Sequence, residues 1–577
     1  MSKNEDKALL LEQLREYLRL KNYTACIISQ NDPHLSEYVA DYYKTREFFS
    51  GFDGSAGVLL VCLDSAILWT DGRYFIQAEN QLAGTGIELY KQGVEGVPTI
   101  VEYLSENMGP NDVVITNSRC MSASKWEEMQ EKFNLLHDEG WEKIWQERPV
   151  LKKSRIRMLE WAEIEVSSVK KIKKVREKMQ EKDVQWFLVS ALDEFSWLFN
   201  LRADDIDYTP VVRGYALVGM DSACVFLDYE GICPEMNAVV YEYSQLEEVL
   251  SSLSGKIWLD KNKVNAHIYN ICSKKLEIFS DESPITLLKA IKTNTEISGF
   301  KRAAINDGVV WVKLMIYIQE CLDKGVKITE LSINEKIIKL KSEQVGFVSE
   351  SFESIVAYAS NAAIVHYSAT EDTDREILAE GFLLIDSGTH YEFGTTDITR
   401  TLVCGKLSEV QKKRFTQVLK GMIAVAMAEF TEGETGAQLD GLARQFLKED
   451  GVDYLHGTGH GIGSVMCVHE DGVGISPRFI KPIMSGMVCS DEPGYYEAGD
   501  YGIRIENMLH CREILDNQLG FETLTLVPID LEAVDVELLT ENEKIWINNY
   551  HKNIKVTLRE YLTDDENLWL ENKCYEI

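Results

Sequence analysis

A pattern laid down twice constrains this chain more than any other feature. The stretches LREYLRLKNYTACIISQNDPHLSEYVADY, from Leu14, and VREKMQEKDVQWFLVSALDEFSWLFNLRADD, from Val175, follow one plan at an offset of 161 residues. Each is a charged amphipathic helix, then an apolar β run (ACIIS or WFLVS), then an acid, Asp32 or Asp193, that opens a second helix. Further β runs follow in both copies: AGVLLVCL and SAILWT in the first, GYALVG and SACVFLD in the second. Strands mixed with helices in this way read as α/β. The chain is therefore expected to begin with two similar α/β domains, residues 1–160 and 161–291, joined near the polar stretch ERPVLKKSRIR.

The pattern changes after about residue 290. In TNTEISGFKRAAINDGVVWVKLMIYIQECL, Thr295 is expected to cap a helix whose apolar residues recur three and four apart. Short strands then alternate with turns: GFLLIDSG, TTDITRTLVCG, GMVCSDEPGYY and YGIRIENMLHC. Residues 292–577 read as a third, α+β domain, and 577 residues are too many for one hydrophobic core.

Charge narrows the partners. With 60 basic and 93 acidic residues the formal charge is −33, which repels phosphate backbones and anionic membrane surfaces, so neither nucleic acid nor membrane is an expected partner. The first twenty residues carry charges throughout and read as an amphipathic helix rather than a signal peptide. No uncharged apolar run reaches about 18 residues; even GMIAVAMAEF is cut off by Lys420 and Glu429. Twelve cysteines without a CxxC pair suit reduced thiols, and the expected location is cytoplasmic.

The stretch DYLHGTGHGIGSVMCVHEDG gathers His456, His460 and His469, three of only ten histidines, among glycines too dense for a helix. Acids elsewhere in the third domain supply partners. Asp386 ends one apolar strand and Asp397 is expected in the next, so a hairpin through GTHYEFG would bring two carboxylates together, where cations or shared protons must relieve their repulsion. Pro493 and Gly494 aim Glu492 off a strand end. In YGIRIENM the two-residue period of a strand sends Ile503 and Ile505 one way, Arg504 and Glu506 the other. Four carboxylates and one imidazole (Asp386, Asp397, His460, Glu492, Glu506) suit two divalent ions such as Mn, Co or Zn better than a structural tetrahedral zinc. Two such cations about 3.5–4 Å apart can share a hydroxide and polarise a carbonyl.

The ordered motifs DSG, TTDITRT, HGTGHGIG, DEPGYY and IRIEN resemble the pita-bread metallopeptidases, and within them the aminopeptidase P family in its long, three-domain cytosolic form. FFSGFDGSAGVLLV, WTDGRYFIQA, ALDEFSWLFNLR, LTENEKIWINNYH and WLENK extend the resemblance over essentially the whole chain. It implies two creatinase-like N-terminal domains, a pita-bread catalytic domain with a C-terminal tail, and a homodimer. It also implies a metal-dependent aminopeptidase that removes the first residue from peptides with proline second, using two divalent ions, manganese first among them. By resemblance Asp386 and Asp397 bind one ion, His460 and Glu492 the other, and Asp397 and Glu506 bridge them. Glu492 is then the base, His366, His456 and His469 are non-ligand histidines of the active site, and Arg504 and Tyr496 orient Glu506 and the substrate. One position departs from the family: Phe393 stands where long forms carry an acid before GTTD. Three other readings are a prolidase restricted to Xaa-Pro dipeptides, disfavoured by the long repeated N-terminal half, a creatinase-like hydrolase without metals, and a catalytically silent peptide-binding protein of the same fold, the last two disfavoured by the intact ligand set.

Overall fold

The repeated pattern builds the same sheet twice. In the computed structural model, which describes residues 3–159, 164–231 and 233–577, the first sheet runs Glu88–Lys91, Ala66–Thr70, Val58–Cys62, Ala25–Ser29, Val113–Thr116, Asn134–His137. The second runs Val239–Tyr241, Ala223–Leu227, Gly214–Gly219, Trp186–Val189, Lys256–Leu259, Glu277–Ser280. Neighbours pair in the same sense at every step: parallel, antiparallel, antiparallel, parallel, parallel. The apolar runs that announced the repeat are the buried strands of these sheets. Leu11, Leu14 and Leu18 of the helix Lys3–Lys21 are buried, as helical spacing requires.

The copies differ at the acid after the first β run. Asp193 lies in the first turn of the helix Leu192–Phe199, as expected. Asp32 does not open a helix; its Oδ1 accepts from the backbone N–H of His34 (2.9 Å) and of Ser36 (3.0 Å), a side-chain-closed turn in which Leu35 has φ 61°. That turn docks the first domain on the second. The His34 Nδ1–H donates to Ser190 O (2.7 Å), the Tyr243 hydroxyl reaches His34 Nε2 (2.9 Å), and Asn265 Nδ2 donates to Pro33 O (2.7 Å). The two domains thus share one compact unit, Met1–Leu159 with Val166–Thr286, and the rest of the chain from Leu287 to Ile577 forms most of a second. The expected boundary at residue 160 lies outside the described residues.

The second unit is built on the long helix Asn294–Lys324, capped by Thr293 rather than Thr295. Thr293 has Glu296 three residues on, and the two close a reciprocal capping box; Thr295 has Ser298 there instead. A sheet of Ile355–Tyr358, Phe382–Asp386 and Thr399–Val403 lies in the same unit as a six-stranded sheet that includes Gly459–Gly461, Glu470–Ile475, Val488–Asp491 and Asn507–Leu515. Helices Glu409–Ala426 and Gly436–Lys448 supply Val418, Leu419, Met422, Leu439 and Ala443 to a core that also takes Ile503 and Ile505. The fold is α/β in the first unit and mixed helix with largely antiparallel sheet in the second. No helix among the described residues is long and apolar enough to cross a membrane, and all twelve cysteines are free thiols.

Candidate metal centre

Five residues in or beside strands converge to make the site. Asp386 is the last residue of Phe382–Asp386 and pairs with Thr399, the first residue of the neighbouring strand. Asp397 was expected inside that neighbouring strand but stands two residues before it, because the chain first makes the short hairpin Thr389–Tyr391 to Gly394–Thr395. His460 is the middle residue of Gly459–Gly461, Glu492 follows Val488–Asp491, and Glu506 lies between Tyr501–Arg504 and Asn507–Leu515. Gly459 lets the His460 strand sit close: a Cβ there would lie 2.0 Å from Ser490 O.

These side chains meet in a cluster in which Asp386, Asp397 and Glu506 are buried and His460 and Glu492 partly so. Asp397, His460 and Glu506 each present a donor atom within 4.8 Å of the others. His460 Nε2 lies 3.3 Å from Asp397 Oδ2 and 3.3 Å from Glu492 Oε1. Its Nδ1–H donates to Gly461 O (3.0 Å), which turns Nε2 toward the two carboxylate oxygens. Burial alone would lower the His460 pKa, but the hydrogen bond with Asp397 and the charge of Glu492 push it up to about 9. Burial, with the charges of Asp397 and Asp386 set against His460 and Arg504, raises Glu492 to about 7. Glu506 goes well above the usual carboxylate range, by burial first and then by Asp397 and Asp386.

Two oxygens carry the chemical conclusion. Asp386 Oδ1 and Glu506 Oε1 are buried without a hydrogen-bond partner, and a buried carboxylate oxygen facing other carboxylates is costly unless a proton or a cation joins it. Hard oxygens with one imidazole nitrogen are a donor set for divalent cations such as manganese, cobalt or zinc. The residues present fit such ions.

The surrounding groups sort less evenly. Arg504 was expected to orient Glu506; instead its Nη2 donates to Asp386 Oδ2 (2.7 Å), and it reaches Glu506 only through Thr399, whose hydroxyl accepts from Arg504 Nε (3.2 Å) and donates to Glu506 Oε2 (2.7 Å). The Tyr496 hydroxyl accepts from Arg504 Nη1 (2.9 Å) and lies 2.8 Å from His456 Nε2. His469 stands edge-on to His460 with ring centroids 4.4 Å apart. His366 is half-buried in the turn after the short helix Ala359–Ala363. Sequence reading passed over Thr399, Ser490 and Arg400. Ser490 Oγ accepts from His460 N (3.0 Å) and donates to Glu492 Oε1 (3.2 Å). Thr399 was legible in principle, two residues past Asp397 at the start of a β run. Arg400 gave no signal: it looks like an ordinary strand charge, yet it is 1% exposed and donates to Glu506 O, Thr399 O, Pro528 O and Val527 O.

Comparison with known proteins agrees over the whole length. Residues 298–513 match the model of metallopeptidase family M24, residues 517–577 that of the C-terminal region of peptidase M24, and residues 11–142 and 147–296 two creatinase/prolidase N-terminal domain models. A probable Xaa-Pro aminopeptidase P of Paracoccidioides brasiliensis is 35% identical over 613 residues, covering 99% of this chain and 99% of its own length. Xaa-Pro aminopeptidase 1 of Dictyostelium discoideum is 35% identical over 98% of this chain and 95% of its own. The crystal structure of an X-prolyl aminopeptidase from Caenorhabditis elegans, described as a cytosolic enzyme with a di-nuclear active site, superposes with a TM-score of 0.95 at 31% identity over 100% of both chains.

Proposed function

The chain belongs to the M24 metallopeptidases with creatinase-type N-terminal domains, the Xaa-Pro aminopeptidase P family, and on that premise we propose that it removes the N-terminal residue from peptides with proline in second position. The observation that carries the reading is the union of full-length similarity, both N-terminal domains included, with a buried carboxylate–imidazole cluster whose unpartnered oxygens call for cations.

Asp386, Asp397, His460, Glu492 and Glu506 would hold two divalent ions, manganese being our choice among manganese, cobalt and zinc. When bound, such ions supply an acidified water and polarise the scissile carbonyl. Glu492 would take the water's proton and return it to the departing proline nitrogen, a tertiary amide that leaves poorly unprotonated. His456 holds its Nδ1–H on Gly457 O (2.8 Å), so the neutral ring accepts the Tyr496 hydroxyl at Nε2 (2.8 Å). Both ring nitrogens are thus engaged, and to hydrogen-bond the developing oxyanion His456 would exchange one of these partners for the substrate, with Tyr496 and Arg504 positioning the ring until then. His366 is assigned the same oxyanion, and His469 a substrate carbonyl. Arg504 and Thr399 hold Asp386 and Glu506 in place. Within this reading the domains are 1–160, 161–291 and 292–577, the protein is a cytoplasmic homodimer, and its partners are peptides rather than nucleic acid or membrane.

The test is hydrolysis by metal-stripped protein refilled with manganese, using an Xaa-Pro-Xaa tripeptide, an Xaa-Pro dipeptide and an Xaa-Ala control. Metal-dependent release of the first residue from the tripeptide, with the control inert, is expected. Cleavage mainly of the dipeptide would make the protein a prolidase, and tight metal binding without cleavage would make it a peptide-binding relative.

A further inference from the structure

Between the strands that carry Asp386 and Thr399 the chain makes a detour whose position is dictated from outside. Asp307 of the long helix Asn294–Lys324 is 1% exposed, and its carboxylate accepts hydroxyls from three residues of that detour: Thr389 (3.1 Å), Tyr391 (2.6 Å) and Thr396. Thr396 immediately precedes Asp397 and is held further by its own N–H on Thr389 O (2.9 Å) and by Ser351 Oγ donating to its carbonyl (2.9 Å). Lys341, from the helix Glu330–Ser342, donates to Gly388 O (2.7 Å) and sits 3.3 Å from Glu350 Oε1. Its charge opposes the rise that burial imposes on the Asp307 pKa.

The tip of the detour is seated on the same helix. The Arg302 guanidinium lies over the Phe393 ring at 3.8 Å, and Phe393 stacks on Tyr391 with centroids 5.6 Å apart and planes 8° apart. A Cβ at Gly299 would lie 1.9 Å from Phe393 O, so the tip touches the helix backbone where any side chain would lift it off. Phe393, which departs from the family pattern, is thus tied to Arg302 by its ring rather than by a charge. Gly299, Arg302 and Asp307 fall on one side of the helix by its 3.6-residue period.

Resting on the reading of Asp397 as a metal ligand, we infer that this helix face is the seat that places it, with Asp307 as the positioning residue. A carboxylate buried to receive three hydroxyls of one hairpin fixes that hairpin's height and register on the helix, and a ligand must be held to within about half an ångström to keep its ion. Asp307 touches none of the proposed ligands. It acts through Thr396 and Thr389.

Manganese titrated calorimetrically into metal-stripped protein tests the seat. Asp307→Asn, which keeps the shape and removes the charge, is expected to weaken manganese binding about tenfold or more, and Tyr391→Phe, a milder variant that leaves the buried acid in place, to shift it the same way by less. Tripeptide kcat should return toward the parent value at saturating manganese, a rescue that general loss of structure would not give. Hydrogen exchange in the metal-free Asp307→Asn protein should rise at residues 387–397 selectively. Unaltered manganese affinity in both variants, or exchange rising throughout Leu287–Ile577, would overturn the seat. If the parent chain binds manganese yet leaves the tripeptide whole, the substrate reading fails and the titrations still decide the seat. If it binds none, both fail.

Discussion

Glu194 in the first unit and Glu506 in the second are each 1% exposed, yet they have opposite fates. Glu194 is satisfied: Lys263 Nζ lies 2.8 Å from Oε1, the Thr286 hydroxyl donates to the same oxygen (2.9 Å), and Ser283 donates to Oε2 (2.7 Å). Glu506 has Thr399 on one oxygen and nothing on the other, and the charges that act on it most are those of Asp397 and Asp386, both acids. Burial of an acid is therefore no signal of function. An acid buried among acids with an oxygen left over is one, because only a proton or a cation completes it.

The sharpest way to break this comparison is at the unsatisfied cluster. Glu492→Gln keeps the shape of the site but cannot shuttle a proton, and tripeptide cleavage at saturating manganese should fall about 10²–10⁴-fold, with thermal stability little altered. A fall of only a few-fold would remove Glu492 as the base. The mirror experiment is Glu194→Gln, which takes the charge from a buried carboxylate that Lys263, Thr286 and Ser283 satisfy. Loss of hydrogen bonds to a charged group costs about 1.5–3 kcal/mol, to be read from denaturant midpoints, while kcat per folded molecule should stay at the parent value. A loss of kcat without loss of stability would show that Glu194 was misjudged as structural.

How much of this was legible follows the same line. The repeated sheets were readable because ACIIS, AGVLLVCL and SAILWT, with their later counterparts, are apolar runs whose burial needs no knowledge of what covers them. Asp32 misled because what decides its conformation is Tyr243, Ser190 and Asn265, all more than a hundred residues away, against which the following Pro33–His34 must dock. The four acids and one imidazole of the centre stood out against their strand surroundings, in an order matching a known family. Their support did not: Asp307, Thr399 and Arg400 belong to residue types that helices and strands carry routinely on their surfaces, and only the three-dimensional register turns them inward. Asp397 shows both halves. Its chemistry was visible, and its place outside the strand was set by a hairpin held on a distant helix.

A smaller effect sharpens the same contrast. If cations are what Asp386 and Glu506 lack, manganese should raise the melting temperature of the parent chain in proportion to the logarithm of its concentration. At a hundred times Kd the gain is about 2.7 kcal/mol, seen by thermal shift with and without a chelator. Glu506→Gln should lose most of that gain, whereas Glu194→Gln should keep it on a lower baseline. An equal gain in both variants would mean that manganese stabilises the protein somewhere other than this cluster.

The smallest effect tests where the rule stops. His551 is 1% exposed and also has an unpartnered atom: Nε2 accepts from Ile529 N (3.1 Å), while Nδ1 has no partner. Burial first, then the positive charges of Arg400 and Lys555, push its pKa down to about 3, so it is a neutral ring in a cationic setting, where a second cation gains nothing. An unfolded histidine titrates near 6.5, so between pH of about 3 and 6.5 the unfolded chain holds the extra proton. The contribution of this ring to stability is complete above about 6.5 and declines as pH falls through that window. Melting temperatures of the metal-free parent should accordingly fall between pH 7 and 5 more steeply than those of His551→Gln. Parallel curves would mean that the ring accepts a proton inside the fold. The leftover nitrogen would then have found an acceptor as Glu506 finds a cation, and the distinction between a leftover atom among like charges and one among unlike charges would not hold.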